Sequence, residues 1–84
     1  MERKEIIEKV NESVIKVLGI QDKKMIKESA DFSSDLGADS LDMLEIQMEI
    51  AKNMNVEISD VELEKISTVG DLYNLVAQKL KIEN

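Results

Sequence analysis

Residues 39–54, Asp39-Ser40-Leu41-Asp42-Met43-Leu44-Glu45-Ile46-Gln47-Met48-Glu49-Ile50-Ala51-Lys52-Asn53-Met54, decide the fold. At 100° per residue, Met43, Ile46, Ile50 and Met54 fall within roughly 80° of one another, the stripe by which an amphipathic helix faces a core. Leu41, Leu44, Met48 and Ala51 form a second apolar stripe on about the opposite side. Asp42, Glu45 and Glu49 run along one edge of it. A surface helix needs only one apolar stripe. The surplus is either packed against a further element or left exposed as a docking face beside a carboxylate ridge, and the exposed reading fits the charge pattern better. Asp39 is placed to cap this helix, with Asp42 in capping-box register.

Working outward, Ile6, Ile7, Val10, Val14, Ile15, Val17 and Leu18 have helical spacing, and Gly19 is a natural stop. The spacing predicts a first helix over 2–18. Residues 20–38 keep no period and hold Ser29, Ser33, Ser34, Asp35 and Gly37, so a long ordered loop is predicted, pinned by Phe32 and Leu36. Ser59 followed by Glu62 opens a short helix reaching about Ile66. Thr68 followed by Asp71 opens a last one carrying Val69, Leu72, Leu75, Val76 and Leu80. The expected fold is all-α: a four-helix bundle with a short third helix and a long loop between helices one and two. The 84 residues, 43% hydrophobic, suffice for one small domain, taken as 1–84.

Composition excludes most self-sufficient chemistry. There is no cysteine and no histidine, hence no thiolate nucleophile, no near-neutral imidazole base and none of the commonest zinc ligands. A non-catalytic protein without a specific metal centre is expected. Of 18 acidic and 11 basic residues, the segment 31–60 holds Asp31, Asp35, Asp39, Asp42, Glu45, Glu49, Glu57 and Asp60 against Lys52 alone. The whole formal charge of −7 therefore sits in the middle third. Such a field repels nucleic acid and anionic lipid and attracts partners with basic patches. The N-terminal MERKEIIEKV has no apolar run fit for a signal peptide or a membrane span, which predicts a cytoplasmic protein.

Ser40 begins the second helix. As a nucleophile it has no support, because no basic residue lies between Lys27 and Lys52. A helix N-terminus does stabilise an attached phosphate. The run Asp35-Leu36-Gly37-Ala38-Asp39-Ser40-Leu41-Asp42, continued by Glu57-Ile58-Ser59-Asp60 and Glu64-Lys65-Ile66-Ser67-Thr68-Val69, resembles the acyl carrier proteins of bacterial type II fatty acid synthesis. The resemblance spans the chain and implies that Ser40 takes 4′-phosphopantetheine from coenzyme A. The arm's thiol would carry acyl groups as thioesters. Asp39 would help hold the divalent ion and the phosphopantetheinyl transferase at Ser40. Leu41, Asp42, Leu44, Glu45, Met48 and Glu49 would dock that transferase, the fatty acid synthase enzymes and acyltransferases. Phe32, Ile46, Ile50, Ile58, Leu63 and Ile66 would line the acyl pocket, and the chain would work as a monomer.

Three departures from the family pattern stand out. Ala51-Lys52-Asn53-Met54 replaces a common acidic stretch, Ser59 stands where a proline is common, and Gln47 takes an often aliphatic place. The first leaves room for a carrier dedicated to polyketide, aminoacyl or special lipid chemistry. The rival of another class is an acidic, divalent-ion-binding interaction module. Asp31, Ser33, Asp35, Asp39 and Asp42 fall at calcium-loop positions 1, 3, 5, 9 and 12. Leu36, however, occupies the sixth position, where the turn needs glycine, so only weak ion binding by the acidic cluster is expected.

Overall fold

The computed structural model describes residues 2–80, so residues 1 and 81–84 of the expected domain lie outside the described residues. Four α-helices follow one another: α1 (Arg3–Leu18), α2 (Ser40–Met54), α3 (Asp60–Glu64) and α4 (Val69–Lys79). The first helix starts one residue later than the spacing predicted, with Glu2 as its N-cap, and it ends at Gly19 in the left-handed conformation (φ 66°). Asn55 ends α2 in the same way, at φ 56°. Asp39 with Asp42, Ser59 with Glu62 and Thr68 with Asp71 each form a reciprocal capping box. The third helix closes two residues short of Ile66 because Lys65 and Ile66 turn back onto the Glu62 and Leu63 carbonyls.

The core is aliphatic. Ile6, Val10 and Val14 of α1, Ile46 and Ile50 of α2, and Val69, Leu72 and Val76 of α4 are fully buried. Ser13, also fully buried, gives its hydroxyl hydrogen to the Lys9 carbonyl one turn back. Tyr73 of α4 donates its phenolic hydrogen to Asn11 of α1, and burial pushes its pKa up.

The loop from Ile20 to Asp39 holds a short 3₁₀ turn, Lys23–Met25, which apolar periodicity could not reveal because none of its residues is buried. After that turn the loop is strapped to the junction of α3 and α4. Phe32 N donates to Ser67 O (2.9 Å), Val69 N to Ala30 O (3.0 Å) and Gly70 N to Glu28 O (2.9 Å), and Asp31 faces Thr68 in an antiparallel bridge. Gly70 permits this approach: a Cβ there would lie 3.0 Å from the Glu28 carbonyl oxygen. The strap buries Phe32 and Ala30, with Leu36 partly buried beside them.

Candidate functional site

The chain between the strap and α2 is a tight, self-bonded turn. The Asp31 carboxylate accepts hydrogen bonds from the amides of Ser33 (2.9 Å) and Ser34 (3.0 Å), while Asp35 accepts from Asp31 N (2.7 Å). The Ser34 amide above all, then Ser33, holds the Asp31 carboxyl below its ordinary 3.8. Gly37, at φ 68°, supplies the left-handed step, and Ala38 N closes the turn on Phe32 O at 2.7 Å. These bonds deliver Ser40, exposed, as the first residue of α2. Asp39 beside it uses Oδ1 to accept from Asp42 N (2.9 Å), and Asp42 accepts in return from Asp39 N (3.1 Å). The Ser40 and Leu41 amides, in the first turn, have no intrahelical acceptor, so they are open to an anion at the serine.

A cavity of about 740 Å³ opens beside Ser40. Its walls come from the turn (Phe32, Ala38), from α2 (Met43, Leu44) and from α3 and its exit (Leu63, Ile66), and Asp31, Ser33, Asp39, Asp60, Glu64 and Ser67 add polar atoms. An exposed hydroxyl, free first-turn amides and a cavity of mixed polarity beside them fit a phosphate-linked arm with an apolar cargo.

Of the six residues expected to line an acyl pocket, Phe32, Leu63 and Ile66 stand on this wall. Ile46, Ile50 and Ile58 do not: Ile46 and Ile50, about two and three turns beyond Ser40, lie where the inner face of α2 meets the core, and Ile58, in the segment between α2 and α3, is buried as well. Met43 and Leu44 stand on the wall of this cavity as well. Met43 shares the core stripe, but it sits in the first turn of α2, where its neighbours are the loop and α3.

The surplus apolar stripe is exposed. Leu41, Leu44 and Met48 are 63%, 41% and 64% accessible, so α2 is not packed on both sides. Val61 of α3 is a further exposed apolar residue. Glu45 is exposed beside the stripe and Asp42 is half-buried in its cap. Glu49 is less free than the sequence suggests: it pairs with Lys16 of α1 at 3.2 Å and accepts from Asn53 at 3.3 Å. Nothing in the spacing of α2 alone discloses that pair, since Lys16 lies on another helix.

The third helix is too short to stand on its own propensity. Glu62 accepts from Ser59 N (3.0 Å) and meets Lys79 of α4 at 2.8 Å; the lysine first, then the cap amide, lowers its pKa from 4.5 to about 2. Ser59 caps through its hydroxyl, accepting from Glu62 N at 3.1 Å. Gln47 of α2 reaches across to donate to the Ile58 carbonyl and to Asp60.

Among the described residues no three acidic side chains converge as a metal site, and no helix is long and apolar enough to cross a membrane. Residues 8–76 match the family model for the phosphopantetheine attachment site. An acyl carrier protein of Thermotoga maritima is 41% identical over 78 residues, covering 93% of this chain and 95% of that protein. A solved structure from Mycobacterium tuberculosis, provisionally assigned as an acyl carrier protein, superposes with a TM-score of 0.80 at 29% identity, covering 87% of this chain and 96% of that one. The family match, the sequence relative and the shared fold agree: the chain belongs to the acyl carrier protein family, whose members bear a 4′-phosphopantetheine group.

Proposed function

We propose that Ser40 is the attachment point of the 4′-phosphopantetheine arm and that the chain presents acyl thioesters to the enzymes of fatty acid biosynthesis in the cytoplasm. One observation carries the reading: the exposed Ser40 stands at the mouth of the cavity, at a helix N-terminus with unpaired amides. When bound, the arm supplies a terminal thiol that this chain, lacking cysteine, does not have. The residues of the chain do the rest. The first-turn amides and the helix dipole favour the negative charge linked to Ser40 Oγ. Asp39 keeps one carboxylate oxygen free of the cap for a divalent ion brought by the transferase. Phe32, Met43, Leu44, Leu63 and Ile66 offer apolar surface that shields an acyl chain from water. Leu41, Leu44 and Met48 give adaptable contact area to successive partners, and Asp42 and Glu45 orient their basic patches. Catalysis stays with those partners, and the chain acts as a monomer.

A second reading rests on the far end of α2. With Glu49 paired to Lys16 and Lys52 exposed beyond it, the acidic ridge ends early, which favours a carrier serving a dedicated polyketide, aminoacyl or special lipid pathway. Reconstitution separates the two. The loaded chain, given to the malonyl transferase and condensing enzyme of fatty acid synthesis, is expected to be elongated. Loading at Ser40 without elongation would assign it to the dedicated class.

A further inference from the structure

Gln47 lies on the flank of α2 between its buried and exposed stripes, two turns past Ser40. Its side-chain Nε2 donates to the carbonyl oxygen of Ile58 and, at 3.4 Å, to Asp60 Oδ1. Those two residues bracket Ser59, the N-cap of α3. The amide therefore fastens α2 to the start of α3. The cavity beside Ser40 has Met43 and Leu44 as its α2 wall, with Asp60, Leu63 and Glu64 opposite. Gln47 is the next residue along α2 on the side facing α3, and it is not on the wall. The cleft stops where this cross-link begins.

We propose that Gln47 is a specificity-determining residue that closes the far end of the cleft between α2 and α3 and so limits the length of the acyl chain the protein shelters. The proposal rests on the carrier reading above. At 1.5 Å per residue, Gln47 stands about 10 Å along the axis from Ser40. An apolar chain pushed past it strips the Ile58 carbonyl of its donor and offers none in return. Chains that fit short of Gln47 gain burial. Longer ones leave their ends in water or have to force α3 away.

The test compares the wild type with Gln47→Leu, which keeps the bulk without the donor, and Gln47→Ala, which removes both. In the unmodified proteins, amide exchange at Glu62 and Leu63, whose amides bond to Ser59, is expected to be about fivefold faster in both variants, as loss of one ordinary hydrogen bond implies. The proteins are then loaded by a phosphopantetheinyl transferase from coenzyme A thioesters of increasing saturated chain length, and melting temperature is followed against length. The wild type is expected to stop gaining stability at a shorter chain than either variant. A plateau at the same length in all three overturns the proposal. A shift in Gln47→Ala alone overturns the hydrogen-bonded closure in favour of simple bulk. If Gln47→Ala fails to fold, Gln47→Leu alone carries the comparison. Failure of any protein to gain mass at Ser40 would instead count against the carrier reading, while the exchange measurement would still test the tether.

Discussion

Helix α4 buries Val69, Leu72, Tyr73, Val76 and Ala77 against the body of the bundle, whereas α3 buries Leu63 alone. The first is held by apolar area and by the backbone strap from Glu28 to Phe32. The second hangs on polar side chains: Gln47 at its start, the Ser59–Glu62 box, and Lys79 on Glu62. Apolar burial is non-directional and cooperative with the whole core, while each tether on α3 can be released separately. The cavity beside Ser40 has the tethered helix on one side and the strapped loop with the first turn and a half of α2 on the other. The opening therefore has a fixed half, the loop held by backbone hydrogen bonds and apolar burial, and a tethered half, α3 held by side-chain hydrogen bonds and an ion pair.

The largest effect expected from breaking this division comes from the fixed half. Ile50→Ala or Leu72→Ala removes fully buried volume and is expected to cost about 2–5 kcal/mol in a global, two-state loss of structure by circular dichroism. Local melting of α3 alone in either variant would contradict the division. Next is the strap. Gly70→Ala sets a Cβ 3.0 Å from the Glu28 carbonyl oxygen, a backbone atom held by its own hydrogen bond. Overpacking outweighs the gain in helix propensity, for a net loss of about 1 kcal/mol, or roughly 4–8 °C in Tm. An unchanged or higher Tm would show that the strap yields.

The tethered half is expected to answer to pH. An unfolded glutamate protonates near 4.5, but folded Glu62 keeps its charge down to about 2. In that window the unfolded chain binds more protons, so stability present above pH 4.5 is lost progressively as pH falls toward 2. Asp31 and Asp71, the latter held low by the Thr68 and Ser67 amides, add to the loss in the same direction. Glu62→Gln is expected to flatten the part of that slope due to α3 and to speed amide exchange there at neutral pH. A slope unchanged from the wild type would show that the Lys79–Glu62 pair contributes nothing to the acid loss of stability. The smallest effect on stability is expected at the proposed docking face: Glu45→Lys leaves the unfolding free energy within about 0.5 kcal/mol of the wild type while slowing use by partner enzymes.

Much of this was legible in the sequence, for physical reasons that differ by region. The capping pairs at Asp39, Ser59 and Thr68 announce helix starts because the same side chain must satisfy local amides wherever the helix packs. The double stripe of α2 left two possibilities, a helix packed on both sides or an exposed apolar face, and the acidic ridge beside it favoured the exposed face that Leu41, Leu44 and Met48 present. The cavity wall was less legible. Ile46 and Ile50 share a wheel position with Met43, and only tertiary placement separates the residue in the first turn, on the cleft, from those farther down, in the core. Contacts between distant segments were invisible for the same reason: Lys16 with Glu49, Gln47 with Ile58, and the strap between Glu28 and Gly70 depend on how elements cross.

Ser40 is proposed to carry the arm. Intact-mass measurement after incubation with coenzyme A and a phosphopantetheinyl transferase tests it directly. The wild type is expected to gain the mass of one phosphopantetheine and Ser40→Ala none. A wild type that stays at its original mass, or an equal gain in Ser40→Ala, would contradict it.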